Sequence, residues 1–544
     1  MPTLKYNKKD LQQLIGKKLS DEQLEEVLNL IKPNVEEKTE KEWTIELTAD
    51  RPDLFGVEGL ARAVRQYLEI DEGLKKYPVA SSKLAVKVES VPVRPYVASA
   101  IVRNVSMTEE MIDSLMNIQE ILHDTIGRKR SKVAIGVHDL DTIKPPITYT
   151  GVSKEKEMVP LESTETMTLK QVTEENSKGQ AYGNLIEHSR LWPVFTDANG
   201  IFSFPPIINS DRTKVTPKTK NLFIEVTGTN KQAVKQVLNI FVTNLAERKC
   251  KIQSVKLNYG KKSETTPDLS ENVIEIEKDS VNKWLGINLD EKQIKELLER
   301  MGYDAVVSGS KIEVLVPAYR NDILHAVDIF EDIAIAYGYN NFQVELPNIA
   351  TIGKPSQLEK FCSNVRHLMA GFEFQEIIRP TLSNVAEQFD KMNVPQEPVI
   401  EIENPVSKEY TCLRSWLLPS IVKVLAANKH VSYPQNIFEI GDVVIPDENP
   451  ETRSKSVRKI CGAVSHGKAN FAEMKSIVDS LLRNLGIEYT LEPCAHTGYT
   501  AGRGAHVFSE GKVIGSFGEV NPKTLENWKL EMPVASFELN LEII

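Results

Sequence analysis

"PAYRNDILHAVDIFEDIAIAYGYNNF", residues 317–342, sets four carboxylates inside a stretch that otherwise reads as core. Asp322 stands near the expected start of a helix over 323–337. Asp328, Glu331 and Asp332 then return to one helical face, while Ile323, Val327, Phe330 and Ala334 trace an apolar one. Three negative charges on one stripe repel each other, so the stripe needs an offset: bulk water, a basic partner or a cation. A solvated acidic face is the ordinary outcome of such a pattern. A bound cation would be a hard one, because every donor is a carboxylate oxygen, and Mg²⁺ fits best.

The same stretch closes an internal repeat. GKKLSDEQLEEVL (16–28) and GINLDEKQIKELL (286–298) agree in Gly, Leu, a cap residue, Gln and apolar spacing. Ser20 with Gln23 and Asp290 with Gln293 have the spacing of a capping box. Leu24, Val27, Leu28 and Ile31 mark one buried face, as do Ile294, Leu297, Leu298 and Met301. Each copy then offers a strand (TIELTA; IEVLVPA) and an Arg-x-Asp motif, Arg51 with Asp53 and Arg320 with Asp322. The next helix of the first copy, LFGVEGLARAVRQYL, carries Glu58, Arg62 and Arg65 where the second copy clusters acids. Arg-x-Asp therefore belongs to the shared scaffold, as a helix start, and the added acids are not needed to fold the unit.

A chain of 544 residues implies three to four domains at about 150 residues each. Hydrophobic content of 41% and charged content of 26% are those of a soluble globular protein, without an apolar run that spans a membrane. The N-terminus, MPTLKYNKKDLQQLIG, has no export pattern, so cytoplasm is expected. Cys250, Cys362, Cys412, Cys461 and Cys494 lie far apart without a CxxC pair, which predicts buried free thiols and argues against zinc or disulfides. Acidic residues outnumber basic ones, 76 to 66, so nucleic-acid contact must come from local patches or a partner. Arg128, Lys129, Arg130 and Lys132 form one patch, with a solvated charge run as the alternative.

Linker-like stretches (EGLKKYPVASSKL, NYGKKSETTPDLS, ELPNIATIGKPS) divide the chain into blocks at 1–80, 86–257, 270–345 and 352–544. The expected class is α+β multidomain: two related small helix/strand modules, a mixed second block that reads as α+β or α/β, and a last block with an antiparallel sheet and flanking helices. In LFIEVTG, alternation puts Phe223, Glu225 and Thr227 on one side of a strand, opposite Leu222, Ile224 and Val226. A carboxylate and a hydroxyl then point the same way, and an exposed strand face is the plain alternative.

PAYRNDILHAVDIFEDIAIAYGYNN resembles the hallmark segment of the beta subunit of phenylalanine-tRNA ligase, in its archaeal and eukaryotic form. TADRPDLFGVEGLAR, KVAIGVHDLDTIKPPITY, FSFPPIINS, LFIEVTGT, NPVSKEYTCLRSWLLP, IFEIGDV and AGRGAHVFSEGKVIGSFGEVNP are similar to the same family, in order along the whole chain.

The resemblance implies a non-catalytic partner subunit of an α₂β₂ enzyme that joins phenylalanine to tRNA(Phe) using ATP. ATP and phenylalanine would sit at the alpha partner's site. It implies that block 86–257 is a B3/B4-like α/β editing domain that hydrolyses mischarged Tyr-tRNA(Phe). Its pocket would be lined by Glu225, Thr227, Ser210 and the turn from Pro205 to Asn209; the family often has Asp where this chain has Glu225. The third block would be B5-like and hold Mg²⁺ on Asp322, Asp328, Glu331 and Asp332. The last would be a degenerate class II synthetase-like domain, since its strand Ile437, Phe438, Glu439, Ile440, Gly441 lacks the arginine that grips ATP phosphates, and Arg414 and Arg503 do not map to that role. No Ser/His/Asp triad is visible, so hydrolysis would rest on a positioned water and the terminal ribose of the tRNA. The competing reading is an RNA-binding structural scaffold without editing activity.

Overall fold

The capping signals act as the sequence spells them. Ser20 Oγ accepts from the Gln23 amide at 3.2 Å while Gln23 Oε1 accepts from the Ser20 amide at 3.0 Å. Asp290 and Gln293 make the same exchange at 2.8 and 2.9 Å. Each exchange starts a helix, Asp21–Leu30 or Glu291–Arg300, by satisfying amides that lack an intrahelical partner. The helices before them, Lys8–Ile15 and Lys278–Leu285, end at Gly16 and Gly286 with φ of 75° and 68°, a left-handed turn that glycine makes without strain. Both copies continue alike. Thr3–Asn7, Glu42–Glu46 and Asn34–Lys38 form a three-stranded antiparallel sheet in that order, matched by Asn272–Glu277, Lys311–Val316 and Asp304–Ser308. A last helix follows, Val57–Tyr67 or Ala326–Tyr337.

A computed structural model describes residues 2–543, which form two compact units divided after Leu346. The first three sequence blocks make one unit because they share one apolar core. Leu24 and Trp43 come to it from the first module, Ile224 and Phe241 from the second block, Ile294 and Ile333 from the third.

Within that unit the second block builds a mixed sheet. Its order is Ile208–Asn209, Gly200–Phe204, Trp192–Asp197, Ile147–Val152, Ala85–Val88, Lys251–Tyr259, Tyr96–Arg103, Asn221–Gly228 and Val133–Asp139. Leu222, Ile224 and Val226 face the shared core with helix Lys231–Glu247, while Phe223 packs with Phe195 and Phe202 on the other side. Both faces of Asn221–Gly228 are therefore buried, one by the shared core and the other by the aromatic cluster, and the strand runs between two antiparallel neighbours one place in from the end of the sheet. An exposed face at Glu225 is ruled out.

The acidic helix starts at Ala326, three residues later than the sequence suggests. Asp328 Oδ2 accepts from the amides of Leu324 and His325 at 2.8 and 2.7 Å, which holds the preceding backbone out of the helix. Its buried side consists of Ile329, Phe330, Ile333, Ala334, Ile335 and Ala336 together with Asp332. Val327, expected on the apolar face, points to solvent.

The second unit is a seven-stranded sheet in the order Gln375–Glu376, Gln435–Pro446, Ser454–Ser465, Val534–Asn540, Lys512–Val520, Tyr499–Ser509 and Thr490–Pro493, antiparallel apart from the first pair. Helices Gln357–Gly371 and Phe471–Asn484 contribute to one apolar cluster on it and Leu418–Ala427 to another. All five cysteines are buried and unpaired. Among the described residues no helix is long and apolar enough to cross a membrane.

Candidate functional site

A cavity of about 460 Å³ opens where Asn221–Gly228 meets the turn after Gly200–Phe204. Pro205, Pro206, Asn209, Gln119, Met116 and Glu225 are among its wall residues. Glu225 is 2% exposed; its Oε1 accepts from Ser203 Oγ at 2.9 Å, while Oε2 has no hydrogen-bond partner among the described residues. Burial pushes this carboxyl up to about 7, and the Ser203 hydrogen bond and the Arg94 charge pull it back only in part. Ser203 Oγ also lies 3.4 Å from Asn209 Oδ1, and Asn209 Nδ2 donates to the Val137 carbonyl at 3.2 Å.

Gly136 stands opposite Glu225 on the neighbouring strand. A Cβ there would collide with Glu225 and come within 2.9 Å of His138 Nε2, so only glycine leaves room for the acid. His138 is buried beside it, and desolvation, helped by the charge of Arg212, depresses its pKa to about 3. The imidazole is neutral at physiological pH, with Nδ1 2.9 Å from Thr213 Oγ1 and Nε2 unpartnered among the described residues.

Of the residues expected in the pocket, Pro205, Asn209 and Glu225 lie on the wall; Ser210 and Thr227 are buried off it. Thr227 is held by Arg94, which donates from Nε to Oγ1 at 3.2 Å and from Nη2 to the carbonyl at 2.7 Å. The basic run divides: Arg128 and Lys129 are exposed, but Arg130 turns inward. Its guanidinium donates to the carbonyls of Pro206 and Ile207 at 3.2 and 2.9 Å, pairs with Glu120 at 2.7 Å and lies over the Tyr182 ring, so it anchors the turn that forms the wall. Arg94, His138 and Ser203 escaped the sequence reading, and Arg130 entered it only as part of a basic patch. Ser203 had one signal, its place in FSFPPIINS.

The acidic stripe takes a different course. Arg320 lies at its centre, with Nη2 2.7 Å from Asp322 Oδ2 and 2.6 Å from Asp332 Oδ2, and Nε 2.9 Å from Asp322 Oδ1. Tyr303 donates its hydroxyl to Asp332 as well. Burial alone would raise the Asp322 pKa, but Arg320 and Arg51 outweigh it and hold the carboxyl at about 2. Asp328 caps the helix start, and Glu331 faces Lys32 at 3.2 Å. Among the described residues no three Asp, Glu, His or Cys side chains gather as a ligand set. In this arrangement the protein's own cations and a helix terminus supply an offset to the four carboxylates, and Arg320 stands between Asp322 and Asp332. Arg51 and Asp53 repeat the bidentate pair at 2.8 and 2.9 Å in the first copy, which marks the motif as a device of the fold.

In the second unit, Arg414 is buried against Glu439 at 2.7 Å and donates from Nε to the Asp442 carbonyl at 3.0 Å. Its guanidinium is thus held inside the protein.

Three regions match known domains: 79–257 the B3/4 domain, 274–339 the tRNA synthetase B5 domain, and 343–541 the phenylalanyl tRNA synthetase beta chain CLM domain. The phenylalanine–tRNA ligase beta subunit of Methanocaldococcus jannaschii is 44% identical over 549 residues, covering all of both chains. That of Pyrococcus furiosus is 41% identical over 552 residues, covering 100% of this chain and 99% of the relative. The chain belongs to the phenylalanine–tRNA ligase beta subunit family, archaeal type. A solved N-terminal fragment of the Pyrococcus horikoshii beta subunit, 40% identical with a TM-score of 0.60, covers 62% of this chain and 99% of the fragment. As a ligase subunit of protein biosynthesis, the chain keeps its cavity within the B3/4 match and its acidic helix within the B5 match.

Proposed function

We propose that the chain works in the cytoplasm as the non-catalytic beta subunit of an α₂β₂ phenylalanine–tRNA ligase, and that its B3/4 cavity hydrolyses Tyr-tRNA(Phe) made in error at the alpha partner's site. The observation that carries the editing reading is a largely apolar cavity with a buried carboxylate whose Oε2 lacks a hydrogen-bond partner among the described residues. An apolar pocket for phenylalanine rejects an added hydroxyl by only about 10²-fold, so a second sieve is needed. A tyrosyl ring in the cavity would donate its hydroxyl to Glu225 Oε2. A phenylalanyl ring would leave that oxygen desolvated and unpaired, which selects against the correct product.

Glu225, fixed by Ser203, orients the ring; Arg130 holds the Pro205–Ile208 turn over it. His138 is bonded to Thr213 instead of a carboxylate and lies off the wall, so the chain offers no activated nucleophile there. The cavity's work is then to hold the ester beside water and the terminal ribose. Amino-acid activation falls to the alpha chain with ATP and phenylalanine, while both subunits engage tRNA(Phe). The second unit fits a class II-like domain that has lost its phosphate grip, because Arg414 is already tied to Glu439. Mg²⁺ at Asp322, Asp328, Glu331 and Asp332 has no part in this chemistry, since Arg320 occupies two of the four.

The test is hydrolysis of Tyr-tRNA(Phe) by the enzyme assembled with its alpha chain. Glu225→Ala is expected to lose most of the activity while charging with phenylalanine continues. Parental deacylation by that variant would remove Glu225 from the site. If the parent does not deacylate at all, the scaffold reading without editing takes its place.

A further inference from the structure

The second unit holds a cavity of about 930 Å³ that has no part in the editing chemistry. It forms because the seven-stranded sheet is covered differently on its two faces. On one, the directly opposed residues Phe537, Phe517 and Ala505 pack with helices Gln357–Gly371 and Phe471–Asn484. The neighbouring rung, Cys461, Glu538, Ser516 and His506, is polar and turns to the other face. Helix Leu418–Ala427 lies over that face, and Glu538, Ser516 and His506 line the cavity beside it.

The charges there are unequally committed. Glu538 is 8% exposed, and both of its oxygens are taken: Oε1 accepts from Lys459 Nζ at 2.8 Å, and Oε2 from the amides of Leu417 and Leu418 at 2.9 and 3.1 Å. Lys459 makes that one bond among the described residues, so two of its three N–H groups are left for the cavity it lines. The helix start beside Glu538 adds positive potential, and the floor attracts an anion although a carboxylate sits in it. Glu397 stands on the rim, exposed, where water screens it. One wall is aromatic. The Trp416 indole N–H donates to the Gln388 carbonyl at 3.0 Å, which fixes the ring 5.5 Å from His496, and His496 lies 5.7 Å from Tyr499. Tyr499 can settle on the sheet because Gly504 and Gly518 lack a Cβ, which would stand 3.2 and 2.9 Å from its ring.

We propose that this cavity binds a small aromatic carboxylic acid, with its carboxylate on the Lys459 ammonium and its ring against Trp416 and Tyr499. A charge-assisted bond fixes one end and the aromatic wall buries the other. An amine is the wrong class, because neither Glu538 oxygen is left to accept from it. A polyphosphate is wrong as well, since one lysine already paired with a carboxylate does not neutralise several charges.

The experiment titrates the full-length chain by calorimetry with three probes: 3-phenylpropionate, 3-phenylpropylamine, which lacks the acid, and hexanoate, which lacks the ring. The first should saturate at one per chain, and the other two should bind at least about tenfold more weakly. Lys459→Met should weaken 3-phenylpropionate by a similar factor, while Glu225→Ala, in the B3/4 cavity, should leave it unchanged. Val513 lines the mouth at 47% exposure, so a charge can be placed there without disturbing the core. Val513→Lys should tighten the acid several-fold and Val513→Glu weaken it, and this pair decides the matter if Lys459→Met fails to fold. Absence of saturable binding, equal affinity for the amine or for hexanoate, or indifference to the charge at 513 overturns the proposal. Loss of binding in Glu225→Ala places the acid in the B3/4 cavity and overturns it too.

Discussion

Two sets of buried carboxylates mark opposite uses of the same chemistry. Asp322 and Asp332 share the Arg320 guanidinium, and the pairing holds Asp322 at about 2 despite its burial. Glu225 is buried as deeply, has one hydroxyl on one oxygen, and rises to about 7. A carboxylate whose partners come from its own module is architecture; one left short of partners beside a cavity is available to a ligand. The comparison also shows why charge count misleads, for the cluster of four acids is internally settled while the lone acid is not.

The sharpest way to break this contrast is to remove Arg320. Arg320→Met strands two buried carboxylates and should cost about 3–5 kcal/mol, read by urea unfolding. The same pair predicts an acid limb: the depressed Asp322 contributes stability that is full above its ordinary pKa near 3.8 and lost as pH falls through about 2. A stability loss under about 1 kcal/mol would mean that the ion pair is not what neutralises the stripe.

Next in size is Glu225→Gln, which should lower kcat/KM for Tyr-tRNA(Phe) hydrolysis by roughly 10²-fold. In the parent, kcat/KM should rise with pH through about 7 as Glu225 ionises, and the variant should lose that step. The stability sign is opposite to that of Asp322. A raised carboxyl binds its proton more tightly when folded, so stability falls as pH climbs from 4.5 to 7, on the order of 3 kcal/mol, and Glu225→Gln removes the fall. Smaller still, Thr227→Ala should cost about 1 kcal/mol, because Arg94 keeps the Thr227 carbonyl as acceptor, and should leave deacylation nearly intact. Last, adding Mg²⁺ or a chelator should leave the melting midpoint of the isolated chain unchanged. A rise with Mg²⁺ that Asp332→Asn abolishes would restore a metal to the acidic helix.

What sequence could say depended on how local the cause was. The repeat was legible because its caps and turns are local: Ser20 with Gln23, Asp290 with Gln293, and glycines at 16 and 286 act within a few residues. The partner of the acidic stripe was within reach as well, since Arg320 precedes Asp322 by two residues, but its second bond to Asp332 needs the helix to fold back. The strand at 221–228 was visible by alternation, yet its doubly paired place comes from segments about 85 and 125 residues upstream, which alternation does not register. Arg130 stood hidden in a charge run because only the fold brings the Pro206 carbonyl to it. His138 comes beside Glu225 through sheet register, whereas Ser203 belongs to a strand not paired with that of Glu225 and reaches it only once the sheet has folded.

The distribution of sulfur across the two units has a practical consequence. Cys250 is the one thiol before Leu346, whereas Cys362, Cys412, Cys461 and Cys494 all lie beyond it, and every one is buried. A thiol-reactive dye added during gradual denaturation therefore counts molecules by half: one label per chain reports that the N-terminal part has loosened, four that the C-terminal part has. The native protein should stay dark to the dye until one of them opens.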